Sequence, residues 1–250
     1  MRRMRRFWKV LPLLAAVAAA CAKSEPVAKS PVDEIVQRNL AARGGKDKIV
    51  ALQAIRASGT MTASGGRIAK VVREVKRPGL FRLEFTYQGT KSVFANDGKQ
   101  GWQVAPLQGV FEPEAVAPEV DSAGGVDQRD LEGPLVNWRE KGHQVELVGR
   151  ETLPGGEADK LKVTLKGGEV RYDYVDVRTS QIVRSDVPRT VRGHAVVLET
   201  SFADFRDEGG LRLPHRIEVR TQNRPQVVRI VVEKVELNPE IPDDRFRMPA

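Results

Sequence analysis

The sequence predicts a mainly β protein. About ten to twelve antiparallel strands, joined by hairpins, form a meander large enough to curl into a barrel or half-barrel. Two observations carry this prediction. First, Phe81-Arg82-Leu83-Glu84-Phe85-Thr86-Tyr87 and Leu161-Lys162-Val163-Thr164-Leu165-Lys166 alternate without a fault, the period of a strand with one buried face. Second, hairpin signals fall at short intervals: Ser64-Gly65-Gly66, Arg77-Pro78-Gly79, Asn96-Asp97-Gly98, Pro154-Gly155-Gly156, Lys166-Gly167-Gly168 and Glu208-Gly209-Gly210. Val170/Tyr172/Tyr174, Val196/Leu198/Thr200/Phe202, Ile217/Val219/Thr221 and Val228/Ile230/Val232 repeat the alternation more loosely. One-faced alternation implies a sheet that is apolar on one side and wet on the other. Val227 to Val232 is apolar on both faces and reads as a central strand.

The chain begins with a charged and then apolar stretch. Met1 to Lys9 is basic, Val10 to Ala20 is an eleven-residue apolar run, and Ala18-Ala19-Ala20 precede Cys21. As a helix the run spans roughly 16 Å, about half the hydrocarbon thickness of a bilayer, so residues 1–20 read as a signal peptide rather than an anchor. Two readings compete for its end: a lipoprotein signal in which Cys21 is acylated, or an ordinary small-x-small cleavage site with an incidental Cys. Cys21 is the one cysteine of the chain and a polar, Pro-containing stretch follows it, which favours lipidation and makes residues 21–30 a tether. Ala22, not Asp, follows the Cys, which by the lipoprotein sorting rule favours the outer membrane; the alternative location is the soluble periplasm. Arg5-Arg6-Phe7-Trp8-Lys9 resembles a twin-arginine signal with an incomplete flanking pattern.

That leader also explains the charge. The formal net charge is +8, but residues 1–20 hold five basic residues and no acid. The remainder carries 36 basic against 33 acidic residues, a net of +3, which excludes a domain-wide nucleic-acid footprint. The composition, 40% hydrophobic and 30% charged, is too apolar for a disordered chain. A single cysteine allows neither an intrachain disulfide nor a thiolate metal cluster.

Residues 31–250 read as one domain. Ser30-Pro31-Val32-Asp33 opens a helix with Ser as N-cap and Pro in the first turn. Val32, Ile35, Val36 and Leu40 recur at helical spacing, Gly44-Gly45 ends the element, and a short second helix runs from Lys46 to Leu52. The strands follow, interrupted by residues 106–142. This stretch is rich in Pro with little period-two pattern, and it holds a short helix near Gln128 to Lys141 carrying Leu131, Leu135, Val136 and Trp138. It is apolar enough to pack, so it reads as a flap over the sheet.

No chemistry emerges from the motifs. His143, His194 and His215 lack ligand spacing, and neither a nucleophile elbow, a phosphate loop nor a dinucleotide fingerprint is present. The carboxylates Glu84, Asp173, Glu199, Glu218 and Glu233 read as solvated strand faces. No catalytic residue, metal or cofactor is expected. A hydrolase would need one of the three histidines to meet an acid or a Ser in a cleft.

Val75-Lys76-Arg77-Pro78-Gly79-Leu80-Phe81-Arg82, a spacer, and then Ser92-Val93-Phe94-Ala95-Asn96-Asp97-Gly98-Lys99-Gln100-Gly101-Trp102 resemble the signature of the outer-membrane lipoprotein carrier and receptor superfamily, the LolA/LolB-like proteins. The strong match is confined to residues 75–106, and the order of elements agrees over residues 31–247. The resemblance implies an unclosed antiparallel β-barrel, a half-barrel with a helical lid, whose cavity takes up acyl chains of lipidated cargo. It implies that Arg77 latches the lid and that Phe81 affects cargo handling. The alternating strands then supply the expected cavity lining: Phe81, Leu83, Phe85, Phe94, Trp102, Val104, Val163, Leu165, Val228, Ile230 and Val232. The same aliphatic residues would equally suit a solid core.

A lipidated Cys21 departs from the soluble carriers and resembles the membrane-held receptor and lipid-binding lipoproteins. The expected protein is a monomer that receives or handles lipidated proteins or lipids at the periplasmic face of the outer membrane, with a carrier or receptor protein as a further partner. Leu107-Gln108-Gly109-Val110-Phe111 is the nearest candidate for an apolar protruding loop. The alternative is a cargo-free structural or envelope-stress sensory lipoprotein of the same fold.

Overall fold

Helix α1 (Pro31–Ala42) starts where Ser30 caps it: the Asp33 amide donates to Ser30 Oγ at 3.2 Å. It ends at Gly44-Gly45, where Gly44 holds a φ of 114° that a side chain would oppose. A Cβ on Gly44 would also lie 2.1 Å from the Gly210 carbonyl oxygen, so this glycine lets the helix end touch a distant turn. Helix α2 (Lys46–Ala51) follows directly. The computed structural model describes residues 30–116, 129–191 and 194–249, and every helix and strand lies between Pro31 and Phe246. The signal segment, Cys21 and nearly all of the tether lie outside the described residues.

Thirteen strands make up a single antiparallel sheet: β1 (Ala54–Ala63), β2 (Arg67–Lys76), β3 (Leu80–Tyr87), β4 (Thr90–Asn96), β5 (Gly101–Ala105), β6 (Val110–Ala115), β7 (Gln144–Leu153), β8 (Gly156–Thr164), β9 (Val170–Asp176), β10 (Ile182–Val191), β11 (His194–Glu208), β12 (Leu211–Thr221) and β13 (Val227–Leu237). Their order is β6-β5-β4-β3-β2-β1-β13-β12-β11-β10-β9-β8-β7. The meander is broken only where β13 returns to pair with β1, so β6 and β7 are open edges and the barrel does not close. The expected half-barrel is therefore the observed architecture. Each of the six predicted glycine turns joins two neighbouring strands, and β13, apolar on both faces, is the middle strand.

The sheet must curl around its helices. Leu135 packs with Leu161 and Val163 of β8, while the next residue, Val136, packs in the cluster that includes Val75 of β2 and Phe81 of β3. Eight strand spacings separate β3 from β8, roughly 38 Å across a flat sheet. Consecutive residues can reach both only if the sheet wraps around them. The inner face is thus the one that meets α1, α2 and the flap.

The flap packs as expected but is not the expected helix. From residue 129 to 142 the chain runs in successive turns. Gly133 (φ 80°) and Asn137 (φ 50°) stand in the left-handed region, and Pro134 between them has no N–H to donate. Leu135 and Val136 are nonetheless 1% and 0% exposed. The flap also contains β6, a strand the sequence reading missed because Pro113 breaks its pattern; proline is tolerated there because β6 is an edge.

Candidate functional site

Strand register decides what faces the hollow. On β2, β1 and β13 the pairs Val75↔Ile55, Val71↔Gly59 and Met61↔Ile230 lie on the inner face. On β3 and β4 that face carries Phe81, Leu83, Phe85 and Phe94, since Phe81 pairs with Val75 and Leu83 with Phe94. Across the midline Val219↔Val228 and Ile217↔Ile230 continue it, and Phe202 pairs with Ile217. The face therefore has two regions. Toward the helices it is filled: Val163, Val232 and Val75 are buried, and Leu165 packs against the α1 cluster. Away from the helices Met61, Leu83, Phe85, Phe94, Leu198, Phe202, Ile217, Val219, Val228 and Ile230 are only half-buried. Phe85 and Phe94 meet there edge to face, with centroids 6.1 Å apart.

Trp102 and Val104 require a correction. The tight Asn96-Asp97-Gly98 turn sets the hairpin register so that Phe94 pairs with Gln103, while Trp102 pairs with Ala95 and Val104 with Val93. Both therefore point to the outer face, because a shift of one residue exchanges the two faces. They build a separate small core there with Val93 and Ala95. The Trp102 indole N–H donates to the Phe246 carbonyl at 2.7 Å, and Lys76 Nζ donates to Asp243 at 2.6 Å, so the C-terminal segment straps the outside of the sheet. Elsewhere the outer face is charged: Arg184 pairs with Glu199 at 2.7 Å, Arg220 with Glu199 at 3.4 Å and Arg229 with Glu218 at 3.0 Å.

The inner face carries a few polar groups: Arg73, which the sequence reading did not single out, and Asp173, which it placed on a solvated strand face and which is instead buried. Arg73 sits between Ala57 and Leu83 in register, its guanidinium 5.9 Å from the Phe81 ring centroid. Burial pulls its pKa down to about 10. The signal was available: Arg73 occupies an inward position in the Val71/Arg73/Val75 row. Farther round, Asp173 is fully buried and accepts from Ser185 Oγ at 2.6 Å and from Arg171 at 2.7 Å.

Arg77 stands at the seam between the sheet and its cover. Its Nε donates to the Leu52 carbonyl at 2.7 Å, and its Nη2 to the Val50 carbonyl at 3.3 Å and to Glu132 Oε1 at 2.5 Å. Glu132 belongs to the flap, is 6% exposed, and also meets Lys141 Nζ at 3.1 Å. A second arginine, Arg43, donates to the Glu132 carbonyl at 2.8 Å. One residue of the β2–β3 turn thus binds both the end of α2 and the flap. The outer end of the flap is tied separately by Arg139, which forks onto both oxygens of Asp33 at 2.6 and 3.0 Å. The hydrogen bonds from Arg139 and then Ser30 hold the Asp33 pKa down to about 2.

The histidines do not form a site. His143 Nδ1 accepts from the Lys166 amide at 3.0 Å, and His215 lies 3.0 Å from Glu208 and 3.2 Å from the Leu213 carbonyl. His194 is exposed at the start of β11. No group of three or more potential metal ligands occurs among the described residues.

No family model and no curated protein matches this chain. Solved structures do. A DUF1329 family protein from Desulfovibrio piger superposes with a TM-score of 0.60 at 15% identity, covering 88% of this chain and 98% of that one. A LolA superfamily protein from Nitrosomonas europaea gives 0.58 at 14% identity over 88% and 98%. An outer membrane lipoprotein-sorting protein domain from Vibrio parahaemolyticus gives 0.55 at 11% identity over 85% and 94%. The chain shares the LolA/LolB-like fold, and at these identities the likeness is one of fold.

Proposed function

We propose that this protein binds the acyl chains of lipidated proteins or lipids on the inner face of its half-barrel and works in outer-membrane lipoprotein handling. The observation that carries the reading is the half-exposed apolar floor from Phe94 and Phe85 through Ile230 and Ile217 to Phe202. A soluble β-sheet that leaves so much contiguous apolar surface open on a concave side has the form of a host. Acyl burial gains about 0.8 kcal/mol per methylene, so a tail of about fourteen methylenes gains on the order of 11 kcal/mol by leaving water. The likeness to a lipoprotein-sorting domain and a LolA superfamily protein supports the same reading.

In this proposal Arg77 is the latch that holds the flap segment around Glu132 over the entrance, and the apolar tail enters when the latch opens. Cys21 carries the lipid anchor, and the protein stands on the periplasmic face of the outer membrane, where it receives or inserts cargo rather than shuttling it. The small-residue run before Cys21 and the polar stretch after it support the anchor. His143 and His215 are engaged in structural contacts, and Asp33, Glu132, Asp159 and Asp173 are held by arginines, which favours a binding role over a catalytic one.

The test is native mass spectrometry of the chain from Ala22 onward, purified without detergent, together with Phe85→Asp. Bound lipid in the parent protein and its loss in the variant is the expected result. A parent protein free of lipid that also fails to bind an added acyl probe refutes the proposal.

A further inference from the structure

At the end of the sheet away from the helices, the last residues of β10, the first of β11 and the turn after β12 enclose a groove of about 830 Å³. Its lining is amphipathic. Val196 supplies apolar surface from the inner face and Val197 from the outer, while Arg189, His194 and Arg224 supply three basic side chains against the one carboxylate of Glu169. Arg189 pairs with Val196 in the β10–β11 register, and Val196 begins the inward row that runs on through Leu198 and Thr200 to Phe202. The groove therefore lies at the rim of the sheet and adjoins the end of the apolar floor at Val196. Arg189 Nε is buried and has no hydrogen-bond partner among the described residues. A buried donor on a permanently charged group is costly to leave unmet, and a guanidinium is shaped to receive a carboxylate or phosphate.

We propose that this groove binds the acidic head group, a carboxylate or phosphate monoester, of an acyl amphiphile whose tail lies along the inner face. The proposal deepens the acyl-binding reading and rests on it. The tail follows Val196, Leu198 and Phe202 toward the midline; the head group accepts from Arg189 and lies in the positive field of Arg224. Neutral acyl groups of equal length use the same floor without the head-group contacts.

The test titrates the chain from Ala22 onward, which keeps every helix and strand described above, with a fluorescent polyene fatty acid, with the corresponding alcohol, and with inorganic phosphate. Arg189→Gln and Arg224→Gln are run beside the parent. The expected result is that the acid binds the parent about tenfold more tightly than the alcohol, that Arg189→Gln removes this preference, and that alcohol binding is unchanged in the variant. Equal, saturable binding of acid and alcohol to the parent overturns the head-group proposal and leaves the acyl reading standing. If neither probe binds, both are overturned. Phosphate binding that depends on Arg189, with no preference for the acid, overturns the proposal in favour of a free-anion site.

Discussion

Replacing Arg77 with Gln cuts the ion pair to Glu132 and shortens the reach to the Val50 and Leu52 carbonyls, so it loosens the flap before it loosens the sheet. The size of the effect follows from exposure. The Glu132 side chain is 8% exposed and that of Arg77 33%, so the pair lies between an exposed pair, worth about 0.2–1 kcal/mol, and a fully buried one, whose breaking costs about 3–5 kcal/mol. Lys141 at 3.1 Å remains to neutralise Glu132. A coupling of about 1–2 kcal/mol between Arg77→Gln and Glu132→Gln is expected, with a total loss of about 2–4 kcal/mol for Arg77→Gln once its carbonyl bonds are included. Urea unfolding of the four proteins gives the coupling, and amide exchange gives its location. Exchange should rise in residues 129–142 while β11 and β12 stay protected. A coupling under about 0.3 kcal/mol, or faster exchange spread evenly over the sheet, would refute the latch.

Other perturbations have equally definite outcomes. Trp102→Phe leaves the buried Phe246 carbonyl without its donor and should cost about 1–3 kcal/mol in denaturant unfolding, yet acyl-probe affinity should be unchanged because Trp102 is on the outer face. Gly44→Ala should lower the melting temperature by several degrees, since the residue holds a φ of 114° and the new Cβ meets the Gly210 carbonyl. The Asp33 carboxyl should titrate at about 2 by carbon-detected NMR and return toward its ordinary value in Arg139→Gln. Because the folded pKa is depressed, this contact contributes its full stability above about pH 4, and that contribution is lost as pH falls toward 2. An unchanged Asp33 midpoint in Arg139→Gln would contradict the assignment.

Much of the architecture was legible because local chemistry is unambiguous at particular places. Ser30-Pro31 and Gly44-Gly45 bracket α1, and the fault-free alternation of Phe81 to Tyr87 fixed both a strand and its inward row. What was not legible depends on register and on long-range packing. Trp102 looked like an inward anchor beside Phe94, and only the pairing of Ala95 with Trp102 turns it outward. The flap has helical apolar spacing, but Gly133, Pro134 and Asn137 dictate turns. Glu132 sits in the apolar stretch Leu131 to Val136, where a lone acid is a sign of a partner, and that partner, Arg77, is far away in sequence. The groove at Arg189 brings together three separate chain segments, which no single-sequence pattern displays.

The central claim is that hydrocarbon tails occupy the inner face of the half-barrel. Photo-crosslinking with a diazirine fatty acid, followed by peptide mapping, tests it residue by residue. The account predicts adducts on the peptides that hold Phe85, Phe94, Ile217 and Ile230, competed away by unlabelled acyl chains. Adducts confined to the outer face around Trp102 and the C-terminal strap, or uncompeted labelling over the whole surface, would contradict it.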